Sequence, residues 1–363
     1  MKQRQSLLSL CLLAALLSLS GCGAPPAPTP APSPQLISTA VPTFTPLPPA
    51  TPTAMPTATP NLALDPLTGL TVADPEALRH RPILVRYGND RIARPPSGLS
   101  QADIVYEELA EGGFVTRLTG VYLASLPEVV GPIRSARPAV IDMMQQLDAA
   151  LVYAGASIGT GKLLAQQPYP QYDHVGKDGD LFFRSSDRPS PHNLYSRLPA
   201  VRARLAAQHA DKAVDLQGLT FAPTAPAGKP ATRLHIPYPG EAPVTYVYNA
   251  ASGSYLRSVQ GAPHIDALNG QQLAPQNVVV LYAEHKNSDI VEDSLGNVAI
   301  LINWIGQGRV QVFRDGALIE GTWRREKPGQ LTRFLDSEGK AIPLKPGQTW
   351  IEIVPLHYSV SVQ

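Results

Sequence analysis

The sequence predicts an α+β or α/β protein: a mixed α/β domain followed by a mostly antiparallel β domain, both carried on a disordered proline-rich stalk. Three observations predict it. Residues 23–60 hold 13 Pro in 38 positions and no charge. Residues 61–221 alternate strand-period and helix-period segments, the pattern of an α/β layer. Residues 231–363 hold short alternating runs separated by turn dipeptides.

The chain opens on Lys2 and Arg4, then an apolar run from Leu7 to Leu19 ending in Leu19-Ser20-Gly21-Cys22. That run is too short for a hydrocarbon core that needs about 20 residues. A basic start, an apolar middle and small residues at the end make residues 1–21 a secretory signal peptide. The last four letters resemble the lipobox of bacterial lipoproteins, in which cleavage leaves the cysteine lipidated. Cys22 is thus the expected anchor to the extracytoplasmic face of the cell membrane, since two or more acyl chains hold stably. Cys11 lies in the discarded leader, so the mature chain has no free thiol chemistry.

Residues 22–60 follow as lipidated cysteine and Pro/Thr-rich linker. Such a chain cannot bury enough apolar surface to offset its ordering entropy. At about 3.1 Å per residue in polyproline conformation it reaches at most about 120 Å. The body divides into residues 61–221, an inner linker at 222–230, and residues 231–363. In the first part Ile83–Tyr87, Thr119–Leu123 and Ala149–Ala154 read as strands. Pro138–Leu147, Gly161–Gln167 and Leu198–Gln208 read as helices, with Pro138 suited to a first turn. In the second, runs at 234–238, 244–248, 255–259, 278–282, 298–304, 310–314 and 349–354 read as strands. Asn269-Gly270, Asp315-Gly316 and Glu338-Gly339 separate several of them.

Formal charge is +1, and without the leader 28 basic residues face 29 acidic ones. Nucleic-acid binding and polybasic membrane attachment need a cationic excess, which is missing.

Several strings carry a family likeness. They are Pro66-Leu-Thr-Gly69, Ala93-Arg-Pro-Pro-Ser-Gly-Leu-Ser-Gln-Ala-Asp103, Val105-Tyr-Glu107, Glu111-Gly-Gly113 with Thr116-Arg117, Gly131-Pro-Ile-Arg-Ser-Ala-Arg137 and Ala154-Gly-Ala-Ser157. Ser190-Pro-His-Asn-Leu-Tyr195, Gly253-x-Tyr255-x-Arg257, His264-x-Asp266, Gly321-Thr-Trp323 and Pro346-Gly-x-Thr-Trp350 continue them. Together they resemble the YerB-like lipoprotein family, whose members join an N-terminal domain of unknown function to a β-rich C-terminal one. The resemblance spans residues 65–355. It implies architecture and a lipoprotein context, and no activity. Phe114-Val115 departs from it as a small insertion before Thr116-Arg117.

Arginine usage points to the first part. Residues 61–210 contain 13 Arg and 2 Lys, against 7 Arg and 6 Lys in 211–363. Arginine binds phosphate or carboxylate with a planar fork, which lysine lacks. Arg134 and Arg137 flank an expected helix start, where free N–H groups also favour an anion. With Arg94, Arg117 and Arg184 they make a candidate anion pocket. The alternative is that the 15 acidic residues of this part pair with them.

Asp103, Glu107, Glu108 and Glu111 form an acidic stretch; if it is helical, Asp103, Glu107 and Glu111 recur every four residues on one face as a metal or acid–base cluster, and if Ile104–Tyr106 is a strand they scatter. Gly159-Thr-Gly-Lys162 lacks the spacing and the hydroxyl residue of a phosphate loop. His174, Asp178, Asp180 and His192 match no zinc signature. His192 is the best single general-base candidate, with Asp103 and Glu107 as further catalytic candidates. No metal and no cofactor is expected.

Two function classes follow. One is a non-catalytic binding or scaffold module for an envelope polymer, an anionic ligand or an exported protein. The other is an enzyme or carrier acting on a lipid-linked pyrophosphate, with Arg117, Arg134 and Arg137 on the phosphates. Only that second reading calls for a divalent metal, held by Asp103.

Overall fold

The structure is a computed structural model, and it describes residues 63–363. The signal peptide, Cys22 and the whole stalk lie outside the described residues.

Strands β1 (Ile83–Gly88), β2 (Ile104–Leu109) and β3 (Thr116–Tyr122) come first. Then follow α1 (Ala139–Leu147), β4 (Ala150–Tyr153), α2 (Ile158–Ala165), β5 (Gln171–Asp173), β6 (Phe182–Arg184), β7 (Leu194–Ser196) and α3 (Leu198–Ala207). The remainder is strand: β8 (Arg233–Ile236), β9 (Val244–Asn249), β10 (Ser254–Val259), β11 (Asn277–Val291) and β12 (Val298–Asn303). β13 (Gly306–Arg314), β14 (Ala317–Arg325) and β15 (Thr349–Pro355) are the last long strands, with short ones at Arg333–Leu335 and Ser361–Val362. This is the mixed α/β part and then the β part that the sequence predicts.

One 12-stranded sheet takes strands from both parts: ten run in the order Lys229–Pro230, β14, β13, β11, β15, β2, β3, β1, β4, β5, and off this path β12 pairs with β11 and Arg333–Leu335 with β14. β15 lies at its centre, parallel to β11 on one side and to β2 on the other. Within 222–230, Lys229 and Pro230 pair with Leu318 and Ala317.

Strand side chains alternate between the two faces. Val85, Val105, Val280, Trp350 and Val354 point to one face, where a second sheet built on β8–β10 covers them with Leu234, Val244, Tyr246 and Tyr255. Leu84, Tyr106, Val121, Val279 and Ile351 point to the other. There α1 supplies Val140, Met143, Met144 and Leu147, the i, i+3, i+4, i+7 stripe of an amphipathic helix. Trp304 and Trp323 fill the same layer.

β11 outruns the main sheet. Its far half pairs with β12 as a hairpin that lies against the Glu111–Gly113 turn and α2. Ser157 caps α2 by accepting the Thr160 N–H at 3.1 Å, and Gly159–Lys162 lies inside that helix.

Gly321 in β14 allows a close approach. A Cβ there falls 2.1 Å from the Leu335 carbonyl oxygen, a backbone atom that cannot swing aside. Gly321→Ala is expected to destabilise the fold by about 1–3 kcal/mol, the usual cost of overpacking. A shift in urea midpoint checks it, and an unchanged midpoint contradicts the close packing.

Candidate functional site

β2 is a strand, so its acidic residues scatter. Glu107 and Glu108 are both fully buried and point to opposite faces, each onto an arginine from elsewhere. Glu108 meets Arg86 of β1 at 2.6 Å, on the α1 face. Burial raises the Glu108 carboxyl to about 7 even though Arg86 pulls it down.

Glu107 meets Arg257 of β10 on the other face and accepts from Asn89 at 3.0 Å and Thr116 at 2.7 Å. Glu352 of β15 sits beside Glu107 in register and accepts the Tyr246 hydroxyl at 2.5 Å. Burial, reinforced by Glu107, pushes Glu352 up to about 8. Arg257 also donates to the Tyr246 oxygen at 3.1 Å and to His264 Nδ1, and it stacks 4.4 Å from the Trp350 ring centre. This network is buried and ties the two parts together. Its chemistry is structural, and Glu107 belongs to it.

Asp266 makes a second tie. Fully buried, it accepts the backbone N–H groups of Gly98, Ser100 and Leu268 at 2.7–2.9 Å, holding the Leu99–Gln101 turn against the second part.

Asp103 stands at the opposite end of β2 from the arginines. Its carboxyl accepts the Leu123 N–H at 2.7 Å. Arg117 pairs in register with Glu108, five residues along, or about 16 Å at 3.3 Å per residue. Asp103 and Arg117 therefore do not meet on one ligand. Burial, and then Asp65, raise the Asp103 carboxyl well above the usual range.

The five candidate arginines fall into three places. Arg117 and Arg137 clamp Glu111, one on each carboxylate oxygen, at 2.6 and 2.8 Å. Burial acts to raise Glu111, but the two guanidiniums hold it at about 2. Glu292, from the β11–β12 hairpin, adds a second acid 3.3 Å from Arg137 and accepts Thr160 Oγ1 at 2.5 Å. Arg94 turns toward Glu241, donating to its backbone carbonyl at 3.0 Å.

Arg134 and Arg184 share a cavity of about 130 Å³, formed where the loop before α1 meets the loops around β5 and β6. Ser135 and His174 line it too, with apolar walls from Ile133, Val175 and Leu194. No carboxylate lines it. The nearest acid to Arg134 is Asp90 at 3.8 Å, outside hydrogen-bond range, and Arg134 Nε is buried without a partner. Burial, then the like charge of Arg117, lower the Arg134 pKa, so the guanidinium is held at an electrostatic cost.

Arg184 Nη2 lies 3.4 Å from His174 Nε2 and its Nη1 donates to Asn193 at 2.8 Å. Burial and Arg184 depress the His174 pKa, leaving a neutral ring. With Nε2 facing a donor, Nδ1 carries the proton, and it is buried without a partner. The guanidiniums and the His174 N–H are donors, which suits an anion, while the Ser135 hydroxyl spends its proton on the Ala154 carbonyl at 2.9 Å.

His192 lies on the adjoining loop, its Nδ1 4.0 Å from Asp90 and without a hydrogen bond. Burial and Arg134 lower its pKa. Asp178 and Asp180 both pair with Arg204, apart from either histidine. Among the described residues no three His, Cys, Asp or Glu side chains gather as a metal site.

Two family models match the chain. One is described as the N-terminal domain of a protein of unknown function (DUF3048) and matches residues 67–211; the other, its C-terminal domain, matches 234–351. The chain belongs to the DUF3048 family. YerB of Bacillus subtilis (strain 168), a relative named as a lipoprotein, is 34% identical over 297 residues, covering 80% of this chain and 86% of that one. The crystal structure of YerB from Bacillus subtilis superposes with a TM-score of 0.72 at 30% identity, over 82% of this chain and 99% of that one. The two DUF3048 matches thus stop on either side of residues 212–233, while Arg257–Glu107 and Asp266–Gly98 cross from one to the other.

Proposed function

We propose that this DUF3048 protein is a lipid-anchored, extracytoplasmic binding module that captures an anionic group of an envelope component or exported partner. The carrying observation is the cavity that Arg134 and Arg184 share: two guanidiniums and the His174 ring line it, and no carboxylate does. Arg117 and Arg137 are already paired with Glu111 and Glu292, so Arg134 and Arg184 are the pair open to a ligand. A group the size of phosphate or carboxylate would accept from both forks. The signal peptide and Cys22 support membrane anchoring. The Pro-rich stalk would set the module off the bilayer by up to about 120 Å.

A thermal-shift series on the chain from Asn61 onward, which contains every described element, tests this. Phosphate, pyrophosphate and acetate are the probes, with an Arg134→Ala/Arg184→Ala variant beside the wild type. At 100 times its dissociation constant a ligand stabilises by about 2.7 kcal/mol, which raises Tm by several degrees. The reading expects a shift in the wild type that the variant loses. An equal shift in the variant, or none with any anion, rejects it.

A further inference from the structure

A second cavity, of about 330 Å³, opens where the Arg91–Ala93 turn faces β10 and the Ala262–Pro263 strand. Its volume falls at the low end of small-molecule sites, about 300–1,000 Å³. Val259, Pro263 and Ile265 give it an apolar wall, and Arg91, Arg94, His264 and Gln260 supply the polar side chains.

The two arginines can only donate, and the Gln260 amide both donates and accepts. His264 is 2% exposed, and its Nδ1 faces the Arg257 guanidinium, which has only N–H groups to offer. Burial, then Arg257 and Arg94, push the His264 pKa well below the histidine range, so the ring is neutral. Its proton therefore sits on Nε2, which is buried without a partner. Arg94 Nε is likewise buried and unpartnered. The adjacent acid, Glu241, spends a carboxylate oxygen on the Arg91 backbone N–H at 3.0 Å. Buried donors beside an apolar wall call for a ligand that brings both an acceptor and a hydrocarbon surface.

We infer that this cavity is a binding site, separate from the Arg134–Arg184 cavity, for an anionic amphiphile: a carboxylate or phosphate head on an apolar body. The head meets Arg91, Arg94 and the His264 Nε2 proton, and the body lies along Val259, Pro263 and Ile265. Arg94 belongs to this site by its position.

Octanoate and octyl phosphate, titrated below their micellar concentrations into the chain from Asn61 onward, test the inference by calorimetry. Inorganic phosphate is the head-only control. Saturable binding of either amphiphile, at least tenfold tighter than inorganic phosphate, is expected. Arg91→Ala/Arg94→Ala, both on or near the surface, is expected to weaken it at least tenfold with an unchanged urea midpoint. Arg134→Ala/Arg184→Ala is expected to leave it unaltered, which separates this site from the other cavity. Binding of octanoate alone assigns a fatty-acid-like ligand, and of octyl phosphate alone a phosphate ester. No saturable binding of either, or equal binding to the Arg91/Arg94 variant, overturns the inference.

Discussion

Replacing Arg257 with Met is expected to destabilise the protein by about 3–5 kcal/mol, the range for removing one partner of a buried ion pair. The guanidinium is fully buried and joins four groups: Glu107, the Tyr246 oxygen, His264 Nδ1 and the Trp350 face. Met fills similar volume without a charge, so the loss is electrostatic and not a cavity. Glu107 would keep Asn89 and Thr116 as donors but lose its counter-charge, with Glu352 beside it. Urea denaturation measures the loss. Combining Arg257→Met with Glu107→Gln should recover at least about 1 kcal/mol, because residues in one network couple. A loss below about 1 kcal/mol for Arg257→Met would contradict the network.

Stability is expected to fall from pH 6 to pH 8. Glu352 has a folded-state pKa of about 8 against an ordinary 4.5, because burial and then Glu107 disfavour its ionised form. A raised folded-state pKa gives stability that is complete below pH 4.5 and lost as pH rises through 8. At about 1.4 kcal/mol per unit, the wild type should lose about 2 kcal/mol between pH 6 and 8 from this group. Glu108, at about 7, adds a smaller loss in the same direction. Glu111 works the other way: held at about 2, it contributes stability above pH 4.5 that disappears as pH falls through 2. Urea midpoints of the wild type and Glu352→Gln, taken from pH 5 to 9, check this. Glu352→Gln should flatten the alkaline limb, and parallel curves for the two proteins would show that Glu352 does not titrate there.

Local patterns made much of the fold legible. The spacing of Val140, Met143, Met144 and Leu147 announces α1, and Pro138 marks its start. Asp315-Gly316, both at positive φ, joins β13 to β14 as the dipeptide predicts. β2 was ambiguous because Glu107 and Glu108 look like a solvated run. Their partners, Arg86 and Arg257, lie at a distance in sequence and on opposite faces, which no periodicity can show.

The same limit applies to the site. Arginine enrichment marks a region, but residue type does not say which guanidinium already has an acid. Arg117 and Arg137 flank Glu111 in space, while Arg134 and Arg184, fifty residues apart in sequence, meet at one cavity. Arg257 and His264 stood in recognisable family strings, but those strings carry no chemistry until β10 is seen against β2.

The most direct test of the anion-binding claim is a calorimetric titration of pyrophosphate into the chain from Asn61 onward, wild type and Arg134→Ala/Arg184→Ala. The account predicts one saturable site in the wild type and at least tenfold weaker binding in the variant. Equal affinity in the two proteins, or no binding to the wild type, would contradict it.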